Sequence, residues 1–268
     1  IGTTKIVSIV GRKNGDGRLE ILGISKTSSK GVKRGVVLNI EETANAIQAI
    51  VKKAQDKSDI KFSDVFVGIA GQHIKSIKNR GYRYINSDVG EITQDVIDAL
   101  TEDMYKIPIQ AGEEIIHVIP QNYIVDNETG VKQPVGMSGR RVDADFHIVI
   151  GRIASAMNIK KCINRAGLDV NRLILEPLAS AEAVLTEDEK EAGVALVDIG
   201  GGTTDIAVFY DGIIRHTAVI PFGGNVVTND IKEGCSILQR QAEALKIQYG
   251  SALSDMAPEN KVVTIPGI

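Results

Sequence analysis

The 268-residue chain has no tryptophan, only 4% aromatic residues, two cysteines and four histidines. With so few rings to fill an interior, its core must come from Ile, Val, Leu and Ala, which suits an α/β protein. Cys162 and Cys235 lie far apart without CxxC or metal-ligand spacing. That excludes a disulfide framework and fits free thiols in a reducing compartment, the cytoplasm by default. His73, His117, His147 and His216 are scattered, three of them inside strand-like runs, and no Cys-His-Asn arrangement accompanies Cys162. They read as strand residues beside a structural thiol. No apolar run approaches the ~20 residues of a membrane helix, and no signal-peptide pattern precedes the first strand. Charge of either sign is not in excess, with 31 basic against 34 acidic residues. Lacking a basic stripe with interleaved aromatics, the chain is not expected to bind nucleic acid.

What is present is periodic. Residues 5–11 and 19–25 read as strands around the turn "NGDG", and a short strand is expected at 36–40. The segment "EETANAIQAIVKKAQDK" places Ala44, Ile47, Ile50, Val51 and Ala54 on one helical face. A buried strand is expected at 65–70. Residues 81–167 then read as a compact α+β insertion: strands at 82–85, 113–126 and 143–151, and helices at 93–106 and 154–167. The chain returns through "RLILEP", a helix at 178–185 and the polar run "TEDEKEAG", read as a solvated link. A second hairpin turns at Asp211-Gly212, and an apolar strand-like run closes the chain at 262–268. Both ends read as cut, so a fragment is expected.

The two hairpins begin alike, Gly2-Thr3-Thr4-Lys5-Ile6 and Gly202-Thr203-Thr204-Asp205-Ile206. A near-repeat two hundred positions apart suggests duplicated domains, each presenting a glycine- and threonine-rich loop. Such loops let backbone N–H groups converge on an anion. One of them alone can be an ordinary hairpin turn, but two facing each other would hold phosphates from both sides, with Asp198 placed for a hydrated Mg²⁺. The pattern is neither a Walker loop nor a dinucleotide fingerprint, because the loop joins strand to strand.

"DIGGGTTD" at 198–205 resembles the second phosphate motif of the actin, sugar-kinase and heat-shock-chaperone ATPase superfamily, and "IGTTKI" at 1–6 resembles the first. "LEPLASAEAVL" is similar to its connecting helix and "AEALKIQYGSAL" to the ribose-contacting helix of bacterial actins. Taken with "VDADFHIV" and "PFGGNVVTNDI", these stretches resemble the FtsA family of bacterial cell-division actins across nearly the whole chain.

The resemblance implies an actin-like (ribonuclease H-like) α/β fold of duplicated domains with an inserted α+β subdomain. Residues 1–80 would form the core of domain I, 81–167 the insertion and 168–192 the return to domain I. Residues 193–235 would form the core of domain II, and 236–268 the start of its smaller subdomain. The resemblance also implies ATP and Mg²⁺ as cofactors. Gly2, Thr3 and Thr4 would form one phosphate loop; Gly200, Gly201, Gly202, Thr203 and Thr204 the other, with Asp198 supporting the metal. Gly223 and Gly224 would close from below, and Glu243 and Lys246 would contact the ribose. Glu176 would position the attacking water, with Asp205 as a second acid and hydrolysis slow or absent.

The implied function is assembly into protofilaments that link FtsZ, through its C-terminal peptide, to the inner face of the membrane at the division site. Membrane contact would run through a C-terminal amphipathic helix not contained in this chain, and residues 81–167 would meet neighbouring subunits and later division proteins. The alternative is a small-molecule kinase or chaperone-type ATPase of the same superfamily, for which the insertion lacks an obvious polar cluster.

Overall fold

The computed structural model describes residues 1–85, 90–256 and 262–265. Strands β1 (Lys5–Lys13) and β2 (Leu19–Ser28) form the first hairpin, followed by the short pair β3 (Val32–Lys33) and β4 (Val36–Val37). The strand expected at 36–40 stops early because Asn39 begins a helix, its side-chain oxygen accepting from the Glu42 N–H at 3.1 Å. That helix, α1 (Ile40–Ser58), carries Glu41 and Glu42 in its first turn, favourable to its dipole. It buries the face read from the sequence, Ala44, Ile47, Ile50, Val51 and Ala54, against the hairpin.

Strand β5 (Asp64–Ile69) leads into a four-stranded antiparallel sheet in the order β6-β9-β7-β8. Its members are β6 (Lys75–Tyr84), β7 (Glu113–Val125), β8 (Glu128–Val131) and β9 (Arg141–Arg152), with α2 (Gln94–Met104) between β6 and β7 in the chain. Ile97, Leu100 and Met104 of α2 bury one face of this sheet against Val142, Ala144, Phe146 and Ile148. Pro120, unable to donate to a ladder, sits where the β7–β9 register shifts.

The sheet begins at Lys75, six residues before the expected boundary at 81. Helix α3 (Ile153–Arg165), expected as part of the insertion, packs Ile159, Cys162 and Ile163 into the same core as α1. Its return strand β10 (Asp169–Leu175) pairs in parallel with β5. The insertion is thus a detour of β6 to β9 between two adjacent parallel strands. A cleft of about 420 Å³, lined by Ile6, Val10, Val51, Phe62 and Val67, lies between β1 and β5.

Helix α4 (Glu176–Val184), with Pro177 in its first turn, is followed at once by a second helix. The run read as a solvated link is a helix, α5 (Glu187–Ala192), opened by a reciprocal capping box between Thr186 and Glu189. Its Lys190 is only 4% exposed and its ammonium bonds Glu182 and Glu187, each at 2.8 Å. Strands β11 (Val194–Ile199), β12 (Thr204–Tyr210) and β13 (Ile213–Ile220) form the second antiparallel sheet. Asp211 and Gly212 turn its hairpin with φ of 59° and 75°, as a two-residue type I′ turn requires. Helices α6 (Gly224–Cys235) and α7 (Gln239–Tyr249) pack on one another. The strand expected at 262–268 is absent from its described residues 262–265, and 266–268 lie outside the described residues.

Candidate functional site

The structure brings the two glycine-threonine loops into contact. A Cβ on Gly202 would lie 2.7 Å from Thr3 Oγ1, and one on Gly201 would collide with Thr4 Cγ2. Only glycine permits so close an approach, and it leaves backbone N–H groups unshielded by side chains. Gly2 N–H donates to the Lys5 carbonyl at 3.0 Å, and Gly200 N–H to that of Thr203 at 2.9 Å, closing each loop on itself.

The start of α6 lies below the second loop. Gly224 N–H donates to the Gly200 carbonyl and Asn225 N–H to that of Gly201, both at 2.9 Å. A Cβ on Gly223 would lie 2.9 Å from the Thr203 carbonyl. From α7, Lys246 Nζ reaches the Gly224 carbonyl at 3.1 Å, Thr228 Oγ1 at 2.8 Å and Glu243 at 2.7 Å, while Thr228 also donates to Glu243. Burial pushes the Glu243 carboxyl up, but the hydrogen bonds from Lys246 and Thr228 outweigh it and leave it below its ordinary value.

Three carboxylates are electrostatically coupled beside these loops. Asp198, exposed at the end of β11, accepts from Ser180 at 3.3 Å. Glu176 starts α4 beside Gly68, where a Cβ would lie 2.8 Å from its Oε1. Asp205, 6% exposed, accepts from Thr203 Oγ1 at 3.0 Å, yet its Oδ1 has no partner. Burial foremost pushes its carboxyl up to about 6; the charges of Glu176 and Asp198 add to this, while the bonds from Thr203 and the Gly71 N–H oppose it. Among the described residues no three His, Cys, Asp or Glu side chains group for a metal.

The structure thus brings Gly2, Thr3 and Thr4 to the second glycine loop, and Gly223, Gly224, Glu243 and Lys246 beneath that loop, with Asp205 within reach of the charges of Glu176 and Asp198. Pattern reading missed Ser180, Asn225 and Thr228, along with Gly35, whose N–H donates to Thr3 Oγ1 at 3.4 Å, and Gly71. Gly35 and Gly71 have φ of 74° and 128°, but no local signal connects Gly35 to Thr3 or Gly71 to the distant Asp205. Cys162 is buried, its thiol pushed up by burial, as befits a structural role. His117 accepts from the Leu175 N–H at 3.0 Å.

The chain is similar in sequence to known proteins. The cell-division protein FtsA of Pseudomonas aeruginosa is 45% identical over the whole chain, that of Neisseria meningitidis 42% and that of Escherichia coli K12 38%. The chain belongs to the FtsA family. It spans 64%, 64% and 63% of the lengths of those three relatives. The family model for the SHS2 domain inserted in FtsA matches residues 71–150, where β6 to β9 lie, and that for the cell division protein FtsA matches 195–268. The Hsp70 protein model matches 154–218, which includes the second glycine loop.

Solved structures share the fold of this FtsA-family chain at low identity. A type IV pilus biogenesis complex of PilM and PilN aligns with TM-score 0.69 at 14% identity, covering 93% of this chain and 68% of that one. The ethanolamine utilization protein EutJ from Carboxydothermus hydrogenoformans aligns with TM-score 0.51 at 17% identity, covering 92% and 59%. The fold is actin-like, with the inserted α+β subdomain of the FtsA family.

Proposed function

We propose that this chain is the nucleotide-binding part of an actin-like bacterial cell-division protein. The observation that carries the reading is the contact of Thr3 and Thr4 with Gly202 and Gly201, which brings the two glycine-threonine loops together. Glycine-rich loops of this kind let backbone N–H groups converge on a phosphate chain. The Gly2 to Thr4 and Gly200 to Thr204 loops hold the phosphates, Gly223 and Gly224 support them from below, and Glu243 and Lys246 meet the ribose. Asp198 holds a hydrated Mg²⁺, an ion that keeps most of its waters and needs few protein ligands. Held there, the ion would supply charge neutralisation for the phosphates; Glu176 would orient a water, with Asp205 as a second acid. Hydrolysis is slow or absent, and ATP chiefly biases conformation.

In the cell, on this reading, the protein assembles into protofilaments, binds the FtsZ C-terminal peptide and ties FtsZ polymers to the cytoplasmic membrane at the division site. The inserted sheet meets neighbouring subunits and later division proteins. Among the described residues no helix is long and apolar enough to cross a membrane.

Asp198→Ala tests the site. In a polypeptide of the relatives' full length it abolishes Mg-ATP binding measured by calorimetry; unchanged affinity refutes the assignment. Failure of the full-length protein to co-pellet with the FtsZ peptide refutes the partner.

A further inference from the structure

A second polar cleft lies away from the glycine loops, where the inserted sheet meets β13. Of about 460 Å³, it is lined by Lys78 and Arg80 of β6, Gln121 and Asn122 of β7, Asp145 of β9, and Arg215 of β13. The ladder explains the convergence. Arg80 pairs with Asp145, Asp145 with Asn122, and Lys78 with His147, so all five side chains leave the sheet on the face opposite α2.

Three cations thus line the cleft with one carboxylate. Asp145 is taken up by Arg80, whose Nε and Nη2 donate to its two oxygens at 2.6 and 3.0 Å, fixing that guanidinium. Arg215 is held by the Tyr210 carbonyl at 3.1 Å and Asn122 Oδ1 at 3.5 Å. It forms a long ion pair at 3.6 Å with Asp211, which also meets Lys132 at 2.6 Å. Lys78 has no hydrogen-bond or ion-pair partner among the described residues. Gln121 is only 8% exposed, and its amide makes nothing better than 3.4 and 3.5 Å contacts with neighbouring carbonyls. Next to the cleft, His147 is held down to about 4, by burial first and then by the charges of His216 and Lys78, as expected in a positive local field.

An unpaired lysine and an arginine that shares its carboxylate with Lys132, beside a buried amide with only long contacts, are the chemistry that receives an oxyanion. We propose that this cleft binds a compact oxyanion ligand, a phosphate monoester or a dicarboxylate, between Lys78 and Arg215 with Gln121 and Asn122 as polar partners. Such a ligand clamps the insertion to β13. Since β13 pairs along β12, which starts at the second glycine loop, occupancy also stiffens the support of that loop.

The test is calorimetric titration of the 268-residue chain with inorganic phosphate and, separately, with succinate. Saturable binding is expected to weaken at least ~10-fold in the Lys78→Gln/Arg215→Gln double variant and to survive within about threefold in Lys78→Arg. Phosphate lodged at the glycine loops would be indifferent to these changes. Should the double variant melt prematurely, Lys78→Gln alone, at an exposed and unpaired position, still predicts weaker binding. Preference for phosphate assigns a phosphate ester and preference for succinate a carboxylate; either supports the site. No saturable binding of either anion up to about 10 mM, or equal binding by wild type and the Gln variants, overturns it.

Discussion

Asp205→Asn should stabilise the ligand-free protein at neutral pH, and the gain should vanish in acid. The carboxyl is 6% exposed, one oxygen lacks a partner, and its value is pushed up to about 6 from 3.8. An acid raised in this way binds its proton more tightly in the folded state. Its contribution to stability is therefore fully present below 3.8 and lost as pH rises through 6. A displacement of about two units corresponds to roughly 3 kcal/mol. The neutral amide removes that term, while placing its NH₂ where Oδ1 now finds no partner costs on the order of 1 kcal/mol at every pH. At pH 7 the variant should gain about 2 kcal/mol; near pH 4 it should be level with wild type or slightly weaker. Urea denaturation midpoints at several pH values between these limits measure the difference directly. A variant-minus-wild-type difference that does not change with pH would refute the reasoning, because a pure packing change has no proton to release.

Other perturbations have equally definite outcomes. His73 and His147 are both held down to about 4 from 6.5, chiefly by burial, so their stability is present above 6.5 and lost as pH falls toward 4. His147→Gln should flatten the acid limb of the urea-midpoint profile, and an unchanged slope would exclude His147 from it. Leu100→Ala, at a fully buried position of the inserted layer, should cost about 2–5 kcal/mol in urea titration. A loss under about 1 kcal/mol would mean that α2 is not seated as described. Lys190→Ala removes the buried ammonium between two highly exposed carboxylates, so the loss should stay near 1 kcal/mol, because Glu182 and Glu187 can turn to water. Thermal melts by circular dichroism would show it, and a loss above about 3 kcal/mol would reveal a structural role beyond α5.

Much of the molecule follows from local chemistry. The alternation around "NGDG" and Asp211-Gly212 specifies both hairpins, and the spacing of Ala44 to Ala54 specifies α1 and its buried face. The repeated glycine-threonine loop marked two segments that the structure brings into contact, since close backbone approach leaves its mark in composition. Local signals were also misread. "TEDEKEA" looked like a charged link, yet its Thr186–Glu189 spacing is a helix-start signature, and the burial of Lys190 depends on Glu182 of the preceding helix.

What tertiary structure alone decided is which distant segments meet. The seating of α3 in the first core, the start of the inserted sheet at Lys75 and the meeting of Thr3 with Gly202 all join residues far apart in sequence. So does the convergence of Lys78, Asn122, Asp145 and Arg215 on one cleft. Periodicity reports which face of an element is apolar, because that is set within a few residues. It carries no information on which other face lies opposite; that choice is made only when the whole chain packs, by the burial and polar pairing that distant segments offer one another.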